Sequence, residues 1–151
     1  MKTYGYARIS TPKQNIDRQI RNILAAYPDA ILVKEVYTGT KFQGRKELDK
    51  LLQKARPGDT IVFDSVSRMS RTAEDGYQLY ETLYNQGINL VFLKEPHINT
   101  ATYKQSIAAS QLSLIFHSGD EAADQLMDTI VDALKSYILS LAKRQIRLAF
   151  E

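Results

Sequence analysis

The chain contains no cysteine, which excludes a disulfide framework, a thiolate zinc site and a cysteine nucleophile. Its two histidines, His97 and His117, stand apart with no motif around either, so no histidine-rich metal site is expected. No run of 18 apolar residues is present, and no helix is expected to span a membrane. Met1-Lys2-Thr3 leads directly into a strand-like segment rather than the apolar stretch of a signal peptide; the expected compartment is the cytoplasm. A Walker loop and a Gly-x-Gly-x-x-Gly fingerprint are missing, which removes support for a nucleotide cofactor. There is no Gly-x-Ser-x-Gly elbow and no acidic cluster of the kind a two-metal nuclease requires. Neither proline nor glycine occurs from Asp120 onward.

What is present fits one domain, or one domain with a protruding element. The 151 residues are 44% apolar, enough for a core, and 25% charged. The net charge of +3 is unevenly spread: residues 1–50 carry ten Lys/Arg against five Asp/Glu, and the remainder ten against twelve. The first third can therefore face a polyanion, or can simply carry a solvated basic helix face.

Residues 3–9 are rich in β-formers and predict a strand. Thr11, Pro12 and Gln14 then form a capping box with proline at the first helical position, and Ile16, Ile20, Ile23 and Leu24 recur at helical spacing. A second strand is predicted over 30–37. The glycine-bearing segment 38–44 is expected to be a mobile loop, and Leu48, Leu51, Leu52 and Ala55 mark a short helix. The turn at 56–59 precedes a buried strand over 60–63. A third helix over 73–86 stops at Gly87, and a fourth strand covers 88–93. This alternation predicts an α/β fold with a mainly parallel sheet and helices on both faces. Residues 95–118 are read as a loop with a short helix. From residue 119 or 120 a long helix is predicted. Met127, Val131, Leu134, Ile138 and Leu141 form one stripe, and Leu126, Ile130, Ala133 and Tyr137 form a second beside it. About 30 residues of helix reach about 45 Å, more than a domain of this size covers. Either one stripe packs on the domain and the other on a partner chain, or both make a single wide face buried at home.

Ligands of open parallel sheets bind beyond the carboxyl ends of the strands. Two polar segments fall there. The first strand delivers Arg8 and Ser10 on one face, by period two, and the third is followed by Asp64-Ser-Val-Ser67-Arg68-Met-Ser-Arg71. Arg68 and Arg71 share one turn if that segment is helical. A serine hydroxyl among arginines suits phosphate: guanidinium forks bind its oxygens and oppose charge building in a phosphoryl transition state. The competing view is equally concrete. Ser10 can serve only as part of a helix start, and the arginines can be surface partners of Glu74, Asp75 or Glu81.

Tyr4-Gly-Tyr-Ala-Arg8-Ile-Ser10-Thr11, followed by Gln14 and Gln19, resembles the opening of the serine site-specific recombinases, the resolvase/invertase family. Glu35-Val-Tyr-Thr38-Gly39 resembles that family's acidic-x-x-Ser/Thr-Gly loop, and Gly44-Arg45-Lys-Glu-Leu48 its Arg-x-x-Leu helix start. Ser67-Arg68-Met-Ser-Arg71 resembles its Asp-Arg-Leu-Ser-Arg motif. The segment beginning at Gly87 resembles its fourth strand, and the final helix its dimerisation helix. The likeness is close over 3–94 and looser over 119–151. It implies a catalytic unit at 1–118, an oligomerisation helix at 119–151, and a DNA-recognition domain not contained in these residues. Ser10 would attack a DNA phosphodiester and form a 5′-phosphoseryl bond, which a 3′-hydroxyl later displaces. Arg8, Arg45, Arg68 and Arg71 would hold the phosphate, with Gln14, Gln19 and Thr38 in support. Such chemistry needs no metal and no cofactor. The implied partners are double-stranded DNA and further copies of the chain, as a homodimer and as a synaptic tetramer. The implied setting is the bacterial nucleoid or a mobile element or phage. Ser67 stands where the family has aspartate, which opens the acid/base role; Asp64 and Asp59 are substitutes by sequence alone. Arg144 aligns loosely with a DNA-facing basic residue of the long helix. A different class of function, a non-catalytic oligomerisation and anion-binding module with a decayed site, draws its support from Ser67.

Overall fold

The computed structural model describes residues 1–9, 16–36, 45–104 and 121–150. In chain order these form β1 (Thr3–Ile9), α1 (Asp17–Ala26), β2 (Ile31–Val36), α2 (Lys46–Lys54) and β3 (Thr60–Phe63). There follow the single turn α3 (Val66–Met69), α4 (Ala73–Asn85), β4 (Asn89–Phe92), a 3₁₀ turn (Pro96–Ile98) and a long helix (Glu121–Ala149). Residues 100–104 are also helical. The sheet order is β2-β1-β3-β4, and all three pairings are parallel. The chain moves from β1 to one side, then returns past it to β3, so the order reverses between β1 and β3. Their carboxyl ends border the crevice where ligands of such sheets bind.

Helices cover both faces because side chains alternate along each strand. Gly5 lies on one face, where an added Cβ would sit 2.6 Å from Ile23 Cγ2 of α1. Only glycine lets α1 approach the sheet this closely. The other face carries Tyr4 and Tyr6 from β1, Ile61 and Phe63 from β3, and Leu90 and Phe92 from β4. These join Leu48 and Leu51 of α2 and Tyr80, Leu83 and Tyr84 of α4 in the main core. Tyr6, Phe63 and Phe92 are register partners across three strands. Their rings lie 5.7 Å and 5.4 Å apart, edge-on and then stacked, and Tyr80 extends the row at 6.2 Å. Buried Tyr80 donates its hydroxyl proton to Ile98 O at 2.7 Å, which satisfies the one polar atom this ring brings inside.

The long helix docks by its second half. Ile138, Leu139, Ala142 and Ile146 enter the core, and the Lys143 ammonium lies 4.8 Å from the centre of the Tyr77 ring on α4. Leu126, Ile130 and Tyr137 are exposed.

Two details differ from the sequence-based expectation. Within the described residues α1 runs from Asp17, and Ile16 before it makes no side-chain capping bond. The Thr11–Gln14 box lies outside the described residues. Arg68 and Arg71 do not share a helical turn, because α3 ends at Met69 and Ser70 is extended (φ −153, ψ 159). Leu141 leaves the docked stripe and is 38% exposed, while Ala142 takes its place fully buried. A straight helix drifts about 20° per heptad against a strict seven-residue repeat, so the 4-3 pattern cannot stay on one face. Segment 38–44 and residues 105–118 lie outside the described residues, as do Ser10, Gln14 and Thr38.

Candidate phosphate-binding site

Period two places the Arg8 side chain on the same face as Tyr4 and Tyr6, one step beyond the aromatic core. β1 outruns β3 at this end, since their pairing stops at Tyr6–Phe63. The Gln19 amide of α1 completes the ladder there. Arg8 N donates to Gln19 Oε1 at 3.0 Å, and Gln19 Nε2 donates to Arg8 O at 2.7 Å. Gln19 is thus a backbone clamp on the strand that carries Arg8, and it is itself buried.

Arg8 is only 5% exposed. Its Nη2 donates to Ser67 O at 2.6 Å, while Nε and Nη1 are buried with no hydrogen-bond partner among the described residues. Arg45, the N-cap residue of α2, donates from Nη1 to Met69 O. Two guanidinium groups from different elements therefore end on carbonyls of the α3 turn. Arg68 is half-buried on that turn, and exposed Arg71 follows it. Burial lowers the Arg8 pKa to about 10, with Arg45 the next cause and Arg71 and Arg68 adding to it. The four arginines singled out in the sequence thus come from three segments of the chain, and Arg45, Arg68 and Arg71 act electrostatically on Arg8. Among the described residues Arg8 forms no ion pair. A buried cation with open donors, beside further arginines, has the chemistry to bind an oxyanion such as phosphate.

The carboxylates read from sequence go elsewhere. Asp64 is buried and turned to the α1 face; it accepts from Asn22 Nδ2 at 2.9 Å and pairs with Lys94 at 3.3 Å. Asp59 sits at the opposite, amino end of the sheet. Backbone N–H groups of Lys2 and Arg56 hold it there at 2.9 Å and 3.0 Å and lower its pKa. Ser67 Oγ lies 2.7 Å from Ser65 Oγ, and Glu95 from the loop after β4 accepts from Val66 N at 3.1 Å. With the Ser65 hydroxyl turned to Ser67, Glu95 caps the α3 turn in its place. Arg144 is exposed on the long helix.

Tyr6 and Glu35 were not singled out as site residues from the sequence. Glu35 is 3% exposed and accepts from the Tyr6 hydroxyl, from Glu47 N at 3.2 Å and from Leu48 N at 3.4 Å. It ties β1, β2 and the first turn of α2, and so fixes where Arg45 begins that helix. A lone carboxylate inside an otherwise strand-like segment was the available signal.

Two open cavities of about 470 and 450 Å³ lie away from the arginines, one lined by Lys2, Lys54 and Arg56 and one by Asn22, Asp64 and Lys94. Among the described residues no three His, Asp or Glu side chains cluster to hold a metal. No helix among them is long and apolar enough to cross a membrane.

The family described as "Resolvase, N terminal domain" matches residues 3–121. The chain belongs to that family. The resolvase of transposon Tn552 from Staphylococcus aureus is 35% identical over 113 residues, 75% of this chain and 53% of that protein. The resolvase of transposon Tn21 from Escherichia coli is 32% identical over 113 residues, 74% of this chain and 56% of that protein. This resolvase-family chain therefore spans about half the length of these relatives. The crystal structure of the N-terminal catalytic domain of TP901-1 integrase shares the fold, with a TM-score of 0.53 at 19% identity over 93% of this chain and 98% of that one.

Proposed function

We propose that this chain is the catalytic part of a site-specific DNA recombinase that cuts and rejoins double-stranded DNA through Ser10. The observation that carries the proposal is Arg8: buried, cationic, with two open N–H donors, and surrounded by Arg45, Arg68 and Arg71. Burial of unpaired positive charge is costly, and a phosphodiester oxygen is the partner that offsets it. Ser10 follows Arg8 by two residues in the sequence, directly after the last residue of β1. Its hydroxyl attacks phosphorus and the departing oxygen leaves as a free 3′-hydroxyl, so the DNA 5′ phosphate becomes a seryl ester. The reverse attack, by the 3′-hydroxyl of an exchanged strand, restores a phosphodiester and frees the serine. Each step exchanges one phosphoester for another, so no energy source is needed. The arginines oppose the charge that builds on the non-bridging oxygens.

Gln19 holds the strand, with Gln14 and Thr38 in supporting places. Asp64 acts at a distance by anchoring α1 to the segment after β3. Ser67 contributes its carbonyl to Arg8 rather than a carboxylate to the proton transfers. Residues 1–118 form the catalytic unit, and 119–151 form the helix through which chains pair. The exposed face of Leu126, Ile130 and Tyr137 suits a homodimer that joins a second in a tetramer around two DNA sites, with Arg144 toward the DNA. A mobile element in a bacterial cytoplasm is the fitting setting.

Cleavage of a nicked duplex bearing the crossover site tests this. Arg8→Ala and Arg68→Ala should each slow covalent adduct formation at least about 100-fold, the usual cost of one well-placed oxyanion donor. Near-normal rates for both would refute the arginine cradle. Absence of any adduct with the unaltered protein would instead mark a non-catalytic anion-binding module.

A further inference from the structure

Arg8 and Glu35 are register partners on neighbouring parallel strands. Such strands lie about 4.8 Å apart, and partner side chains share a face. Both residues are buried, at 5% and 3% exposure. Opposite charges placed side by side in an interior are expected to pair, since each otherwise bears an uncompensated desolvation cost. They do not pair: among the described residues Arg8 makes no ion pair, and its Nε and Nη1 have no acceptor. The carboxylate is engaged elsewhere. Glu35 Oε2 accepts from the Tyr6 hydroxyl and from Leu48 N, and Oε1 accepts from Glu47 N. Tyr6 stands two residues before Arg8 on the same face, and its ring is locked in the aromatic row by Phe63.

We propose that Tyr6, with the first turn of α2, is a positioning residue that withholds the Glu35 carboxylate from Arg8 and so keeps two guanidinium donors open for a phosphate oxygen. The inference rests on the reading of the arginines as a phosphate site and assigns that site a guard. Burial and the Glu35 carboxylate both raise the Tyr6 pKa, so the hydroxyl keeps its proton and continues to donate. Without that hydroxyl, Glu35 Oε2 loses a donor in a dry environment, and among the described residues the buried side-chain N–H groups without a partner are those of its register partner Arg8. The carboxylate then turns to Arg8, forms the pair that the register invites, and occupies the donors that phosphate needs.

The experiment uses the 151-residue chain, inorganic phosphate as probe, and the Arg8 Nε–Hε resonance in ¹H–¹⁵N spectra. Tyr6→Phe removes one oxygen and keeps the packing. It should move the phosphate-free Arg8 Hε resonance downfield, as a charge-assisted bond to carboxylate requires, and weaken phosphate binding at least about tenfold. The double variant Tyr6→Phe/Glu35→Gln has no charge to offer Arg8. Both the resonance and the affinity should return to wild-type values. An Arg8 resonance unmoved by Tyr6→Phe overturns the proposal. So does a double variant as weak as Tyr6→Phe alone, because Tyr6 would then act by packing. If the wild type bound no phosphate, the phosphate-site reading would fail, and the phosphate-free resonance would still decide the Tyr6–Glu35 relation. Should Tyr6→Phe not fold, Glu35→Gln alone decides: a phosphate-free Arg8 Hε resonance unmoved from wild type supports the proposal, since Glu35 is then withheld from Arg8, and an upfield shift overturns it.

Discussion

Replacing Arg8 with methionine should stabilise the protein while destroying its phosphate site. The guanidinium is 5% exposed, its Nε and Nη1 lack acceptors among the described residues, and burial lowers its pKa to about 10. At about 1.4 kcal/mol per unit, the folded state carries roughly 3 kcal/mol of unfavourable free energy in keeping Arg8 charged. Methionine is similar in length, flexible enough to fill the same channel, and uncharged. The variant loses the charge-assisted bond to Ser67 O, worth about 2 kcal/mol. The net expectation is a gain of about 1 kcal/mol, a rise in Tm of about 2–4 °C for a chain of this size. In urea the midpoint should move up by about 0.5 M, at an m-value of about 2 kcal/mol/M. The pH dependence has a definite sign. Above about pH 10 the folded wild type loses the Arg8 proton while the unfolded chain, with its guanidinium unperturbed, keeps it, so the unfolded state binds more protons there. Wild-type stability relative to Arg8→Met therefore rises as the pH climbs through about 10, and the gap narrows. Added phosphate should raise the Tm of the wild type and leave that of the variant unchanged. A variant less stable than wild type by 1 kcal/mol or more at pH 7 would refute the reasoning, because Arg8 would then be a well-satisfied structural cation.

Gly5→Ala places a methyl group against Ile23 Cγ2 at 2.6 Å, so α1 must move outward. A loss of about 1–3 kcal/mol in urea unfolding is expected, and an unchanged midpoint would show that α1 is not seated as described. Joint replacement of Leu126, Ile130 and Tyr137 with serine touches no core contact, since all three are exposed. It should shift sedimentation toward monomer and lower the Tm by a few degrees, through the lost pairing and the weaker helix propensity of serine. Unchanged sedimentation would place the pairing surface elsewhere.

The sheet and its helices were legible because each element carries its own periodic signal and punctuation. β3, for example, is a four-residue apolar run between the 56–59 turn and a polar segment. Arg8, Arg68 and Arg71 were legible as residue types at or beyond strand ends, and Arg45, at the start of α2, only through the family resemblance. Their mutual arrangement was not, since it depends on strand register and on how far β1 outruns β3. Register alone sets Glu35 beside Arg8, and no local pattern encodes that pairing. The break after Met69 was missed for another reason. The segment 66–71 has helical spacing, but Ser70 turns its hydroxyl to Thr72 O at 2.6 Å and ends the turn in favour of a new cap. Asp64 was misplaced by proximity in sequence: one residue past Phe63, alternation turns it to the α1 face, away from the arginines.

The central claim is that Ser10 makes and breaks the bond to DNA beside these arginines. The most direct measurement is mass spectrometry of the proteolysed adduct formed on a nicked crossover-site duplex. The account predicts a 5′-phosphonucleotide ester on the peptide containing Ser10, absent from Ser10→Ala at unchanged Tm. An ester on any other residue, or an undiminished adduct with Ser10→Ala, would contradict it.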